Sequence, residues 1–166
     1  MRRVPVKLAR FFRQPAFVLA WFFPVWVGLG LAKLAIFTVS FKRLVPRLGV
    51  SVGLNPWLPL ADPGETDRAR LICQVVRQAA RVTPWDSNCF PQAVVARIML
   101  GFYRIPYCLF FGVRRGVGIG KFEAHAWVAS GRVRVTGGSG FSRFTVVGVF
   151  VAPDLVREQL GETSSR

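Results

Sequence analysis

The sequence predicts an α+β fold preceded by an apolar, helical N-terminal segment. Three observations carry this. Residues 17–41 form an apolar run containing one charge, Lys33. Two helix-period patterns follow, over residues 65–82 and from Cys89 to about Phe102. After Ile105-Pro106 the pattern changes to short strand-type runs separated by Gly-rich turns. Helices followed by strands is the α+β order.

The length of 166 residues allows one domain with an appendage. An apolar fraction of 52% excludes intrinsic disorder. The net charge is +15, unevenly spread. Residues 1–61 hold nine Lys or Arg and no acid, and all eight acids lie from Asp62 onward. Two physically different parts follow from that split. The expected division is a basic, hydrophobic segment and linker over 1–61, a catalytic domain over 62–155 and a polar tail over 156–166. A strongly basic chain favours anionic partners such as nucleic acid, lipid head groups or an acidic peptide.

Residues 17–41 are long enough to cross a hydrocarbon core, which needs about 20 apolar residues. Lys33 and Pro24 both weaken a single span. Pro24 kinks such a helix or divides it in two. Three readings stay open: a membrane span or hairpin, helices packed on the domain or lying in the interface, and a signal peptide. No small-x-small cleavage site follows the run, and Lys42, Arg43 and Arg47 come next. Five basic residues before the run and three after it set no orientation.

Residues 49–63 are rich in Gly and Pro and read as a loop. In the first helix Leu71, Ile72, Val75, Val76 and Ala79 share a face, with arginines on the others. Thr83-Pro84-Trp85 ends it. Asp86, Ser87 and Asn88 are good N-cap types. Pro91 fits only a first helical turn, so Cys89 lies in or just before that turn. The four strand-type runs are residues 107–113, 124–129, 132–135 and 145–151.

Cysteines stand at 73, 89 and 108, with no C-x-x-C pair. Neither a zinc site nor a disulfide framework is indicated, and no metal or cofactor is expected. Cys73 and Cys108 read as packing residues. Cys89 has a reason to be reactive. The positive end of a helix dipole and its orphan N–H donors stabilise a thiolate there, and the same donors suit an oxyanion. A thiolate nucleophile needs a base. The only histidine is His125, in a strand-type run. The competing reading is an inert buried thiol and a structural imidazole.

Four blocks then form a pattern: Trp85-Asp-Ser-Asn-Cys89-Phe-Pro-Gln-Ala93, Phe111-Gly-Val113, Phe122-Glu-Ala-His125-Ala-Trp-Val128, and the Gly137-Gly138 turn. The pattern resembles the lasso peptide biosynthesis B proteins, the transglutaminase-like leader peptidases of lasso peptide maturation, over residues 68–150. The apolar, arginine-rich N-terminal third is similar to their stand-alone form. The resemblance implies a transglutaminase-like/papain-like core, helices followed by an antiparallel sheet. It implies a cytoplasmic cysteine peptidase, attached or not to the inner face of the bacterial membrane. That enzyme cuts a ribosomally made precursor between leader and core. Cys89 is then the nucleophile and His125 the base. The implied partners are the precursor leader peptide, a separate leader-recognition protein, an asparagine synthetase-like lasso cyclase and a membrane surface. No fused recognition domain is visible in residues 1–61. Rival readings are a transglutaminase-like acyltransferase or amidase, and a non-catalytic membrane-anchored scaffold.

One departure stands out. Members of that family commonly carry an Asp about a dozen residues after the His. Here residues 131–138 read GRVRVTGG, and the next acid downstream is Asp154. The orienting group is left as Thr136, a backbone carbonyl, or an acid from elsewhere such as Asp86. Thr136 is taken as the third member. Arg114, Arg115 and Lys121 flank the Gly116–Gly120 loop, either to meet an acidic leader or as a solvated hairpin tip. That loop is no phosphate-binding motif, because Phe122 stands where Ser or Thr is required. The aromatics among the N-terminal basic residues run on into an apolar stretch, unlike stacking platforms, so no nucleic acid is expected.

Overall fold

The computed structural model describes residues 13–44, 46, 48–54, 59–116, 121–138 and 140–159. Residues 1–12, Arg47 and residues 117–120, which the charge and loop arguments used, lie outside the described residues.

Helix α1 is Ala16–Thr38, a single helix with Pro24 inside it. Of the two outcomes expected at Pro24, a kink or a division, the division is not seen. Pro24 and Ala20 are both exposed, and Pro24 has no N–H to give to the Ala20 carbonyl. A one-turn helix, α2 (Phe41–Leu44), follows. Helix α3 is Pro63–Ala80 and α4 is Cys89–Phe102. The strands are β1 (Val50–Ser51), β2 (Cys108–Arg115), β3 (Phe122–Ser130), β4 (Val133–Arg134) and β5 (Thr145–Val151). A last helix, α5, is Pro153–Gln159.

Among the described residues the strands make one antiparallel sheet in the order β1-β5-β2-β3-β4. Strands β2 and β3 pair along their length, from Cys108↔Ala129 to Arg115↔Phe122. Side chains alternate between the two faces of a strand. Leu109, Phe111, Ala126, Val128 and Phe150 pack with the helices. Phe110 and Trp127 stack on the opposite face, with ring centroids 5.4 Å apart.

Val18, Val25, Leu29 and Ala32 of α1 join the same core as Ile72, Val75, Val76 and Ala79 of α3 and Ala93, Ala96, Met99 and Leu100 of α4. The N-terminal helix is therefore part of the core. Trp21 Nε1 donates to the Tyr103 hydroxyl at 2.7 Å, tying α1 to the end of α4.

Two elements were not expected. Strand β1 lies in the segment read as a loop, and its two residues are too few to show alternation. It is held by pairing with β5, and Gly49 lets it in: at φ +136°, a Cβ there would come 2.4 Å from the Val151 carbonyl oxygen. Helix α5 runs into the expected polar tail, and its Leu155 and Val156 pack against Cys108, Val149 and Val151.

Candidate active site

The site begins with the loop that carries Cys89. Thr83 Oγ1 lies 3.0 Å from the Ala80 carbonyl, 2.9 Å from the Trp85 carbonyl and 2.9 Å from Ser87 Oγ. Gln92 Nε2 donates to the Ser87 carbonyl at 2.6 Å. Lys33 Nζ, from α1, donates to the Asp86 carbonyl at 2.9 Å. Trp85 packs on Trp26, with centroids 5.0 Å apart. It also lies over Gly30, where a Cβ would come 2.9 Å from the ring. The loop is thus clamped from both sides. Sequence reasoning missed Gly30 and gave Lys33, Thr83 and Gln92 no part in holding this loop. Lys33 read as a flaw in an apolar run, and only the tertiary contact shows its use.

Cys89 is the first residue of α4 and is half-buried. Asn88 is the N-cap, and its side chain makes no capping bond. A helix start leaves its first N–H groups without intrahelical partners. Pro91 has no N–H, and the Gln92 N–H reaches the Asn88 carbonyl only at 3.5 Å. The N-cap side chain makes no bond to the first turn of α4. Phe90 packs on Phe111, with centroids 5.5 Å apart. Phe111 pairs with Ala126, the neighbour of His125. Phe111 and Ala126 lie on the sheet face that packs with the helices, so this contact joins the start of α4 to that face and not to the imidazole.

His125 pairs across the sheet with Gly112. Its ring stacks on Phe144 at 4.9 Å and Trp127 at 5.7 Å. Gly112 makes that slot possible, since a Cβ there would lie 2.8 Å from Phe144 Cβ and 2.9 Å from the Trp127 ring. The imidazole sits on the face shared with Trp127, opposite the face of Ala126 and Val128.

His125 Nε2 lies 3.0 Å from the Gly137 carbonyl oxygen. A carbonyl only accepts, so Nε2 carries the proton. The neutral ring then keeps Nδ1 as its basic nitrogen. The thiol and the imidazole are not hydrogen-bonded to each other in this structure. Catalytic hydrogen bonds often tighten only when substrate is bound.

Thr136, expected as the third member, is engaged elsewhere. It is buried, and its hydroxyl accepts from the Val128 N–H at 3.1 Å. The Asp86 carboxylate makes no hydrogen bond to the ring, and the bond from Lys33 goes to the Asp86 backbone carbonyl. Of the open choices for the orienting group, the backbone carbonyl is the one in contact with the ring, and it belongs to Gly137. That position is twelve residues after the histidine. Gly137 has φ +92°, and a Cβ there would come 2.2 Å from Trp127 Cβ, so only glycine brings its carbonyl this close.

The other predicted residues are also placed. Cys108 is fully buried, and burial pushes its thiol up to about 12. Such a thiol stays protonated and inert. Cys73 is half-buried against the core. Arg114 is paired with Glu123 (Nε to Oε2, 2.8 Å) and lies over Phe144. Arg115 and Lys121 are exposed.

A sequence model described as the transglutaminase-like superfamily matches residues 35–149, over two-thirds of the chain. The chain belongs to the transglutaminase-like superfamily. The superfamily includes cysteine peptidases and acyltransferases, and its members are typically cysteine-dependent enzymes. The transglutaminase-like match takes in the last turn of α1, α3, α4 and nearly all of the sheet. It covers both Cys89 and His125. No curated protein and no solved structure matches the sequence significantly.

Proposed function

We propose that this transglutaminase-like protein is a cysteine peptidase that removes the leader from a lasso peptide precursor before the macrolactam is closed. The observation that carries the reading is the bond between His125 Nε2 and the Gly137 carbonyl. It gives the imidazole a fixed tautomer with a basic Nδ1, in a transglutaminase-like chain whose Cys89 starts an uncapped helix.

In this reading His125 Nδ1 takes the proton of the Cys89 thiol. The sulfur attacks the scissile carbonyl carbon, and the carbonyl oxygen becomes an oxyanion. N–H groups at the start of α4 stabilise it, a contribution of about 3 kcal/mol where such donors are removed. The C–N bond breaks as the imidazolium protonates the departing amine, leaving a thioester on Cys89. His125 then deprotonates water, and hydrolysis frees the thiol. The amine released belongs to the core peptide and is the nucleophile that a separate, ATP-using cyclase would join to a side-chain carboxylate. A separate recognition protein delivers the leader.

The test uses the purified full-length protein, a candidate lasso precursor and its leader-recognition protein, with leader release followed by mass spectrometry. Cys89→Ala and His125→Ala are each expected to lower release by about a thousandfold or more. Unchanged release in Cys89→Ala would remove the proposed nucleophile. Transfer of the acyl group to an added amine in place of water would make the protein an acyltransferase. Release by neither route, with the protein still holding the other components together, would make it a scaffold.

A further inference from the structure

Helix α1 buries one stripe and exposes another that is just as apolar. Val18, Val25, Leu29 and Ala32 face the core. At about 100° per residue, Phe23 and Leu34 fall on the opposite side. Phe23 is 69% exposed, Leu34 58% and Phe37 78%. Leu31 is exposed too, and with Ile98 of α4 it lines one apolar groove. Phe102, exposed at the end of α4, continues the surface, its ring 5.6 Å from Trp21. A soluble helix seldom leaves such a face uncovered.

We propose that this face docks on an anionic bilayer surface, with α1 lying in the plane of the interface. Charge decides the occupant. Arg13 and Arg43 are exposed beyond the two ends of α1, and Arg104 is exposed two residues after Phe102. The exposed Arg68 lies over Tyr103, 4.8 Å from its centroid, and Tyr103 in turn meets Phe17 and Trp21. Exposed arginines beyond both ends of α1 and after α4, with no acid in α1 or α4, match anionic head groups above acyl chains. A second copy fits poorly, because each carries a net charge of +15 and the same arginines.

The helix does not span. It is about 34 Å long, enough to cross a bilayer by length alone. However, its buried stripe packs against α3, which carries Asp67, Arg68, Arg70 and Arg77. A spanning α1 would drag those charges into hydrocarbon or give up its core contacts. An interfacial helix keeps both. This proposal is independent of the peptidase reading and is tested without any catalytic readout.

The test is flotation of the full-length protein, purified in mild detergent and exchanged onto vesicles of phosphatidylcholine with or without phosphatidylglycerol. The protein is expected to float with the anionic vesicles, to bind neutral ones far less, and to be released by alkaline carbonate. The triple variant Phe23→Glu, Leu34→Glu, Phe37→Glu is expected to lose binding by about a hundredfold. Its melting temperature should stay close to the parent's, because those side chains are mostly exposed and only Phe23 meets a packed ring, that of Trp26 at 6.3 Å. Should the variant fail to fold, the native protein still decides the matter by its preference for anionic over neutral vesicles and its loss of binding in high salt. Retention after carbonate treatment would mean a span and overturn the proposal. Absence of vesicle binding together with concentration-dependent dimers would assign the face to a second copy and overturn it equally.

Discussion

Helices α3 and α4 begin in opposite ways. At α3 the first turn is closed. Asp62 Oδ1 accepts from the Glu65 N–H at 2.7 Å, and Glu65 Oε2 accepts from the Asp62 N–H at 2.9 Å. Pro63 occupies the next position, where no donor is needed. At α4 the N-cap Asn88 makes no side-chain bond, and the first helical residue is Cys89. One helix spends its terminal donors on stability. The other starts at a thiol with no side-chain cap before it. The two helix starts thus differ in their cap residues, one closed by a reciprocal pair of side-chain bonds and the other without one.

The largest expected effect is at Gly137, whose carbonyl holds the His125 imidazole. Gly137→Ala is expected to cost about 3 kcal/mol or more, from a Cβ placed against Trp127 at a positive φ. Leader release per folded molecule should fall with it. A urea melt and an activity assay on the same sample check both. Full activity in a folded Gly137→Ala protein would separate the carbonyl from the function.

Next comes Cys108, the thiol that no helix start exposes. Its folded pKa is raised to about 12 by burial. The folded state therefore holds the proton more tightly than the unfolded chain. Stability from this source is intact below about pH 9 and falls as pH rises toward 12, at on the order of 1 kcal/mol per pH unit. Urea midpoints between pH 8 and 11 check this. Cys108→Ala should flatten that slope, whatever it costs in packing.

The smallest effect is at the closed start. Asp62→Ala should cost about 1 kcal/mol and lower the melting temperature by about 3 °C. Leader release per folded molecule should not change. A calorimetric scan with a parallel activity assay checks this, and a large activity loss would erase the contrast between the two helix starts.

How much of this was legible in the sequence depends on the kind of interaction. The start of α4 was readable because Pro91 tolerates only a first turn. Strands β2, β3 and β5 were readable as apolar runs between glycines. Strand β1 was not, because two residues carry no period and only the pairing with β5 makes them a strand. The Gly137 carbonyl was left among several choices because a backbone group has no residue type to announce it. Side-chain reasoning chose Thr136 instead, whose hydroxyl serves the Val128 N–H. The packing of α1 on α3 and α4, and the reach of Lys33 to the Asp86 carbonyl, are tertiary facts that no local pattern encodes.

The central claim is that Cys89 is a nucleophile assisted by His125. Time-resolved iodoacetamide labelling of the native protein at neutral pH, mapped by mass spectrometry, tests it most directly. Cys89 should be labelled ahead of Cys73 and Cys108, and His125→Ala should slow Cys89 while leaving Cys73 unchanged. A Cys89 rate that is no faster than that of Cys73, and indifferent to the loss of His125, would contradict the account.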